Sequence, residues 1–159
     1  MKDLTKFYIN GQWVSPLVAN DLAVENPATE ETIATISLGA AADVDAAVAA
    51  AKAAFPSYSQ VSVEERIALM ENLLKIYMDG YDEMSMAIST EMGAPISFAS
   101  AAQADCGRGH INAAIEALKK FEFERQVGNT RIVKEPIGVC GFITPWNWPI
   151  NQISCKVAP

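Results

Sequence analysis

The residues best suited to chemistry lie near the end of the chain, in the stretch ITPWNWP at positions 143–149. Asn147 stands there between Trp146 and Trp148. A carboxamide that packed indoles hold rigidly can donate its NH2 group to an oxyanion that develops during a reaction. The same residue type is a common helix N-cap, which accepts a bond from a backbone N–H two or three residues later. The spacing alone therefore leaves two roles for Asn147, a catalytic donor and a helix cap.

The backbone just before Asn147 is a second candidate for ligand contact. Residues 138–144, GVCGFIT, predict a buried strand, and a helical pattern follows Pro149. Ligands of α/β proteins bind where a parallel strand ends, because loop backbone groups and a helix N-terminus are exposed there. A proline-rich turn packed on the two indoles is the alternative interpretation. The residues at this point are Ile143, Thr144, Pro145 and Trp146.

Composition and charge exclude several classes of protein. The chain has 159 residues, 50% of them hydrophobic, which is enough for one core and too few for two comfortable domains. Its net charge is −7, and its 12 lysines and arginines are scattered, which argues against nucleic acid and anionic membranes as partners. The alanine-rich residues 40–54 are interrupted by Asp43, Asp45 and Lys52, so they do not predict a membrane-spanning helix.

The cysteine content and the first residues of the chain point to a reducing compartment. Cys106, Cys140 and Cys155 are an odd number, and their spacing fits neither a zinc motif nor a disulfide framework. The first residues carry Asp3 and no uninterrupted apolar segment, so they do not resemble a secretory signal. These features predict a cytoplasmic protein.

The single histidine, His110, is expected to be an ordinary helix residue, exposed or hydrogen-bonded, with no part in catalysis.

Strand and turn patterns occur at both ends of the chain. Asn10 and Gly11 lie between two short β-rich runs and predict a two-residue hairpin turn, since both positions tolerate positive φ. Residues 32–38, TIATISL, alternate as a strand does. Gly128 and Asn129 predict a second hairpin, with glycine at the first position of a type II′ turn.

Helical spacing of apolar residues fills the middle of the chain. Each pattern has recognisable start or stop residues, among them a capping box in which two side chains satisfy each other's free backbone N–H groups. The first predicted helix begins at Asp43 and stops at Pro56. The second begins at the capping box of Ser62 and Glu65, bends at Gly80 and ends at Gly93. The third covers residues 97–120.

The order and spacing of these motifs resemble the aldehyde dehydrogenase superfamily. The matching stretches are YINGQWV, ENPATEE, ADVDAAVAAAKAAF, SVEERIALMENL, EMGAP and GVCGFITPWNWPINQISCKVAP. The resemblance implies an incomplete α/β fold, the N-terminal part of the family fold, in which helices and hairpins lead into the first strand of a Rossmann-like cofactor sheet. It implies a helical part of the cofactor-binding domain at 1–124, a hairpin strand of the oligomerisation region at 125–135, and the first strand and helix of the cofactor sheet at 136–159. It also implies that the catalytic domain of the family is absent from this chain.

The resemblance also implies roles for single residues. The oxyanion-stabilising asparagine of the family falls on Asn147, and a lysine near the catalytic acid and its water path falls on Lys156, which is otherwise an ordinary lysine extending toward solvent. Cofactor contacts fall on Ile143, Thr144, Pro145 and Trp146. Positions facing the aldehyde fall on Trp148, Asn151, Cys155 and Cys106. A monovalent cation site falls on Glu91 and on the backbone near Glu25, although Glu91 also suits a solvated acid in a last helical turn.

The implied activity is oxidation of an aldehyde to a carboxylic acid with NAD or NADP, through a cysteine thiohemiacetal and a glutamate-activated water. The family motifs that carry the nucleophilic cysteine and the basic glutamate do not occur in this sequence, and the three cysteines lie in other contexts. The resemblance implies a dimer or tetramer for the full-length enzyme. One alternative is a truncated, non-catalytic module that binds a homologous subunit. Another is an acylating dehydrogenase or phosphate-ester reductase, although ITPWNWP favours the hydrolytic branch.

Overall fold

Short strands form two small sheets at the start of the chain in the computed structural model, which describes residues 2–159. Met1, the first residue of the predicted helical part, lies outside the described residues. One sheet has the order β1-β5-β4, with β1 parallel to β5 and β4 antiparallel to it. The other sheet is a hairpin of β2 and β3. The strands are β1 Lys2–Leu4, β2 Phe7–Ile9, β3 Gln12–Val14, β4 Asp21–Asn26 and β5 Glu31–Ser37.

The first predicted hairpin and the predicted strand at 32–38 are both confirmed. Asn10 and Gly11 take φ values of 52° and 74°, as a turn with two positive φ angles requires. The strand β5 begins one residue earlier than expected and ends one residue earlier. Strands β1 and β4 were missed, because three exposed residues give β1 no burial pattern and half of the residues of β4 are polar.

Helices make up the centre and the end of the chain, and the predicted capping signals hold. The Ser62 hydroxyl accepts from the Glu65 N–H at 3.1 Å, and the Glu65 carboxylate accepts from the Ser62 N–H at 3.0 Å. Gly80 separates two helices, and Gly93 ends the second with a φ of 76°. The helices are α1 Ala41–Tyr58, α2 Val63–Asp79, α3 Tyr81–Met92, α4 Ile96–Phe98, α5 Asp105–Leu118 and α6 Pro149–Val157.

Two helix predictions need correction. Pro56 does not stop α1, which continues to Tyr58. A proline removes one N–H donor, but the Ser59 N–H still bonds to the Phe55 carbonyl at 2.8 Å, so the last turn closes. The predicted helix at 97–120 exists as a run from α4 to α5, yet Ala99–Ala104 between them is π-helical. No residue pattern predicted that segment.

The second hairpin is confirmed, whereas the predicted buried strand that follows it is wrong. Strands β6 (Glu124–Val127) and β7 (Thr130–Val133) pair across Gly128, whose φ is 58°. Residues 139–144 are exposed, Gly138 is half-buried, and the stretch pairs with no strand within residues 2–159. An extended segment becomes a buried strand only when neighbouring strands accept its backbone bonds, and none of the described strands lies beside it.

The core lies where α3, the π-helical segment, α5 and α6 meet. Its centre consists of Ile88, Ala94, Ala99 and Ala104, and Ile150 of α6 packs against them. On α5, Ile111 and Ile115 are buried. This packing anchors α6, and therefore the turn that precedes it, to the helical body. None of the helices described for residues 2–159 combines the length and apolar character that crossing a bilayer needs.

Candidate functional site

Asn147 lies in the exposed turn directly before α6, and its carboxamide has no hydrogen-bond partner within residues 2–159. The helix N-cap is Trp148, whose carbonyl accepts from the Gln152 N–H at 3.0 Å. The interpretation of Asn147 as a cap is therefore wrong. A carboxamide in this position is free to donate to an oxygen of a bound ligand.

The turn around Asn147 is attached to the helical body at two points. The Gln103 Nε2 atom donates to the Asn147 backbone carbonyl at 3.3 Å. The Trp148 ring meets Phe98 edge-on, with ring centroids 5.5 Å apart at an interplanar angle of 83°. The expectation that both indoles pack is correct only for Trp148, because Trp146 is 78% exposed. One indole and one buried amide thus hold the turn.

The four predicted cofactor contacts form an exposed, extended stretch ahead of this turn. The Ile143 side chain is 97% exposed, and Thr144, Pro145 and Trp146 are exposed as well. Their backbone groups make no hydrogen bond to any of the residues 2–159. Exposed apolar side chains beside free backbone groups suit contact with a large ligand that has both apolar and polar parts. Whether these residues bind a cofactor stays a prediction.

Of the predicted substrate-facing residues, Asn151 makes a side-chain contact between α6 and α5. The Asn151 Oδ1 atom is 2.7 Å from the His110 Nε2 atom. Cys106 precedes His110 by one turn of α5, and Cys155 follows Asn151 by one turn of α6, so each pair shares a helix face. Sequence reasoning set His110 aside. Its spacing of four residues from Cys106 was the signal that could have placed it here.

The Lys156 ammonium group bonds within its own helix. Its Nζ atom donates to the Gln152 carbonyl at 3.1 Å and to the Gln152 side-chain oxygen at 2.8 Å, and lies 3.7 Å from the Cys155 sulfur. The side chain is half-buried, so it does not extend fully into solvent. Its predicted role near a water path stays a prediction.

The cysteines differ in environment. Burial, and to a smaller extent the neighbouring Asp105, raises the pKa of the Cys106 thiol, which disfavours the thiolate. Cys140 was expected inside a buried strand, but it is exposed because that strand does not form. Cys155 is half-buried. The raised pKa fits the expectation that Cys106 is not a nucleophile.

The predicted cation residues lie on elements that pack together. Glu25 is an exposed residue of β4, and Glu91 is an exposed residue of the last turn of α3. A Cβ on Gly93 would lie 2.7 Å from Pro27 Cγ, so the end of α3 contacts the residues after β4. Within residues 2–159 no three or more histidines, cysteines, aspartates or glutamates cluster to hold a metal ion. A monovalent cation site at these two residues stays a prediction.

Tyrosine hydroxyls support the π-helical segment behind the site. The Tyr77 hydroxyl donates to the Ala104 carbonyl and the Tyr81 hydroxyl to the Ser100 carbonyl, each at 2.6 Å. Burial raises the pKa of Tyr77 to about 12, and Tyr81, Asp105 and Cys106 add to the shift. The Tyr77 hydroxyl therefore stays protonated, and able to donate, at every pH at which proteins normally work.

Tyr77→Phe is expected to lower the free energy of unfolding by about 1 kcal/mol at neutral pH, because the Ala104 carbonyl loses its donor. The raised folded-state pKa means that this contribution is complete below pH 10, the ordinary tyrosine value, and is lost as the pH rises toward about 12. The variant should therefore lose less stability than the wild type over that range. Urea denaturation at neutral and alkaline pH measures both effects. Tyr58→Phe, at an exposed tyrosine, is the control, and equal effects of the two changes would contradict the prediction.

Comparison with known proteins identifies the family of the chain. Residues 13–159 match the sequence profile of the aldehyde dehydrogenase family. The chain belongs to that family. A 3-succinoylsemialdehyde-pyridine dehydrogenase of Pseudomonas sp. is 48% identical over 160 residues, which cover 100% of this chain and 34% of the relative.

Solved structures of the family superimpose closely on the fold. The crystal structure of an aldehyde dehydrogenase from Bartonella henselae matches with a TM-score of 0.96 and 44% identity, covering 99% of this chain and 34% of that one. A mutant of aldehyde dehydrogenase C from Pseudomonas syringae, in complex with NAD+ and octanal, matches with a TM-score of 0.95 and 47% identity, covering 97% and 32%. The predicted α/β fold class, as the N-terminal part of the family fold, is confirmed. The chain spans about a third of the length of these relatives.

Proposed function

We propose that residues 143–147 form the oxyanion-binding and cofactor-contacting part of an NAD(P)-dependent aldehyde dehydrogenase. We further propose that the complete protein oxidises an aldehyde to a carboxylic acid. The observation that carries the proposal is the unpaired Asn147 carboxamide, presented on a turn that Gln103 and Phe98 hold against the helical body. The complex of the Pseudomonas syringae relative with NAD+ and octanal supports the ligand classes.

Asn147 has a defined part in this chemistry. When a cysteine thiolate adds to an aldehyde, a C–S bond forms and the carbonyl π electrons move to oxygen, which becomes an alkoxide. The Asn147 NH2 group donates to that oxygen. The turn that carries this donor is attached to the helical body through Gln103 and Phe98, which limits the reorganisation needed during the step. We place the nucleophile and the general base in parts of the protein outside these residues.

The stretch 143–146 is proposed to contact NAD+ or NADP+. Its free backbone groups and its exposed Ile143 and Trp146 side chains fit a ligand that combines phosphates, sugars and flat rings. When bound, the dinucleotide supplies the hydride acceptor. The chain itself would position the dinucleotide, because the turn after residues 143–146 is attached to the helical body and leads into the N-terminus of α6.

The test is an assay of the complete polypeptide with a panel of aliphatic and aromatic aldehydes, each with NAD+ and with NADP+. We expect aldehyde-dependent formation of reduced cofactor and an equal amount of carboxylic acid, independent of coenzyme A and of phosphate. Dependence on coenzyme A or on phosphate would identify an acylating enzyme or a phosphate-ester reductase instead. Absence of turnover with every aldehyde and both cofactors would contradict the proposal.

A second proposal concerns assembly. The hairpin of β6 and β7 is exposed, and so are the apolar Ile137 and Ile143, which favours contact with further protein. We propose a cytoplasmic dimer or tetramer in which 125–135 contributes to subunit contacts. A non-catalytic module that binds a homologous subunit is the alternative function. Size-exclusion chromatography with and without a full-length homologue tests the alternative, and elution as monomer or aggregate in both cases would count against it.

A further inference from the structure

Gln103 is the most deeply buried large polar residue in the described part of the chain. It lies in the π-helical segment Ala99–Ala104 and is 2% exposed. Its Nε2 atom donates to the Asn147 carbonyl at 3.3 Å and lies 3.9 Å from the Met92 sulfur. Its Oε1 atom is buried and has no partner within residues 2–159. An apolar residue of the same size would avoid burying an unpaired oxygen, so packing alone does not account for a glutamine here.

The orientation of the Gln103 amide follows from its surroundings. A flipped amide would direct Oε1 at the Asn147 carbonyl, which places two acceptors against each other. The NH2 group must therefore face Asn147. In return for its unpaired oxygen, the amide gains the bond to the Asn147 carbonyl and a weaker contact with the Met92 sulfur.

The π-helical segment is fixed in the geometry that this contact needs. A π-helical turn displaces carbonyl groups from the regular bonding pattern, and such turns occur frequently at functional sites. Here the Tyr81 and Tyr77 hydroxyls bond to the Ser100 and Ala104 carbonyls on either side of Gln103. The π-helical segment is therefore bonded to α2 and α3 on one side, and it contacts the turn at Asn147 on the other side.

We propose that Gln103 is a positioning residue that aims the Asn147 carboxamide; this rests on the proposed function of Asn147. Because the carboxamide has no bond of its own, its direction depends on the backbone that carries it. Holding the Asn147 carbonyl restrains the peptide plane that follows Asn147, and with it the place from which the Asn147 side chain extends relative to the helical body. Loss of the bond lets the turn rotate and misplaces the donor.

The test compares two variants in the complete polypeptide. Gln103→Met keeps the length of the side chain and removes the donor, and we expect kcat to fall about tenfold with KM nearly unchanged. Gln103→Glu restores a donor only when its carboxyl group is protonated. Its kcat relative to wild type should therefore rise as the pH is lowered, whereas the Gln103→Met ratio should not change with pH. Wild-type kcat in Gln103→Met, or equal pH profiles for the two variants, would overturn the proposal.

A double-mutant cycle separates positioning from general stability. If Gln103 acts through Asn147, then Gln103→Met should cause no further loss of kcat in an Asn147→Ala background. A full additional tenfold loss would show an independent effect and overturn the proposal. Gln60→Met, at an exposed glutamine, is the matched control. If Asn147→Ala itself leaves kcat unchanged, the assigned role of Asn147 fails; if it lowers kcat and Gln103→Met does not, only the role of Gln103 fails.

Discussion

Replacing Asn147 by alanine in the complete protein is expected to lower kcat by about 10² to 10³-fold, the usual effect of removing one oxyanion donor. The reason is that the carboxamide stabilises charge that exists in the transition state and not in the bound aldehyde. KM should therefore change little. Steady-state kinetics with a saturating cofactor measure both parameters.

Asn147→Asp refines the same prediction. Aspartate keeps the shape of the side chain but replaces the NH2 donor with an oxygen, so it should be at least as inactive as the alanine variant. Asn20→Ala, at an exposed asparagine directly before β4, is the matched control and should keep wild-type kcat. Turnover within a factor of about two of wild type in Asn147→Ala would be incompatible with an oxyanion role for this residue, given the expected loss.

The largest effect on stability is expected at Gly107, where α5 meets α2 and α6. A Cβ there would lie 2.6 Å from the Tyr77 ring and its hydroxyl, and 3.0 Å from Ile150 Cγ1. The ring has little room to move, since its hydroxyl is bonded to Ala104. Gly107→Ala should therefore lower the free energy of unfolding by about 1–3 kcal/mol. The shift of the urea denaturation midpoint measures it.

The same helix provides a control of opposite sign. Gly109 has no atom within 4 Å of the position that a Cβ would take. Gly109→Ala should therefore raise stability by up to about 1 kcal/mol, because alanine favours the helix more than glycine does. A Gly107→Ala variant as stable as Gly109→Ala would mean that α5 does not pack against α2 and α6 as closely as described.

Local sequence signals predicted the elements that form through contacts between residues close together in the chain. Asn10 and Gly11 accept positive φ, Ser62 and Glu65 cap one another, and Gly93 allows a left-handed helix end, so each feature forms from its immediate neighbours. Local signals failed at Pro56, where bonds across the last turn continue the helix, and at 138–144, whose strand depends on neighbours that the described residues do not supply.

The candidate site divides in the same way. The sequence by itself determined that an asparagine between two tryptophans precedes a helix, and it pointed to Asn147 and to the family. Only the tertiary structure decided that Asn147 is not the cap, that its backbone is held by Gln103 from a π-helical turn, and that His110 meets Asn151. Gln103 and Asn147 are 44 positions apart, and Phe98 and Trp148 are 50 positions apart, so these contacts depend on how the helices pack. The physical reason is that capping and turn chemistry act over three or four residues, whereas the direction of a buried amide is set by acceptors that only the folded chain brings to it.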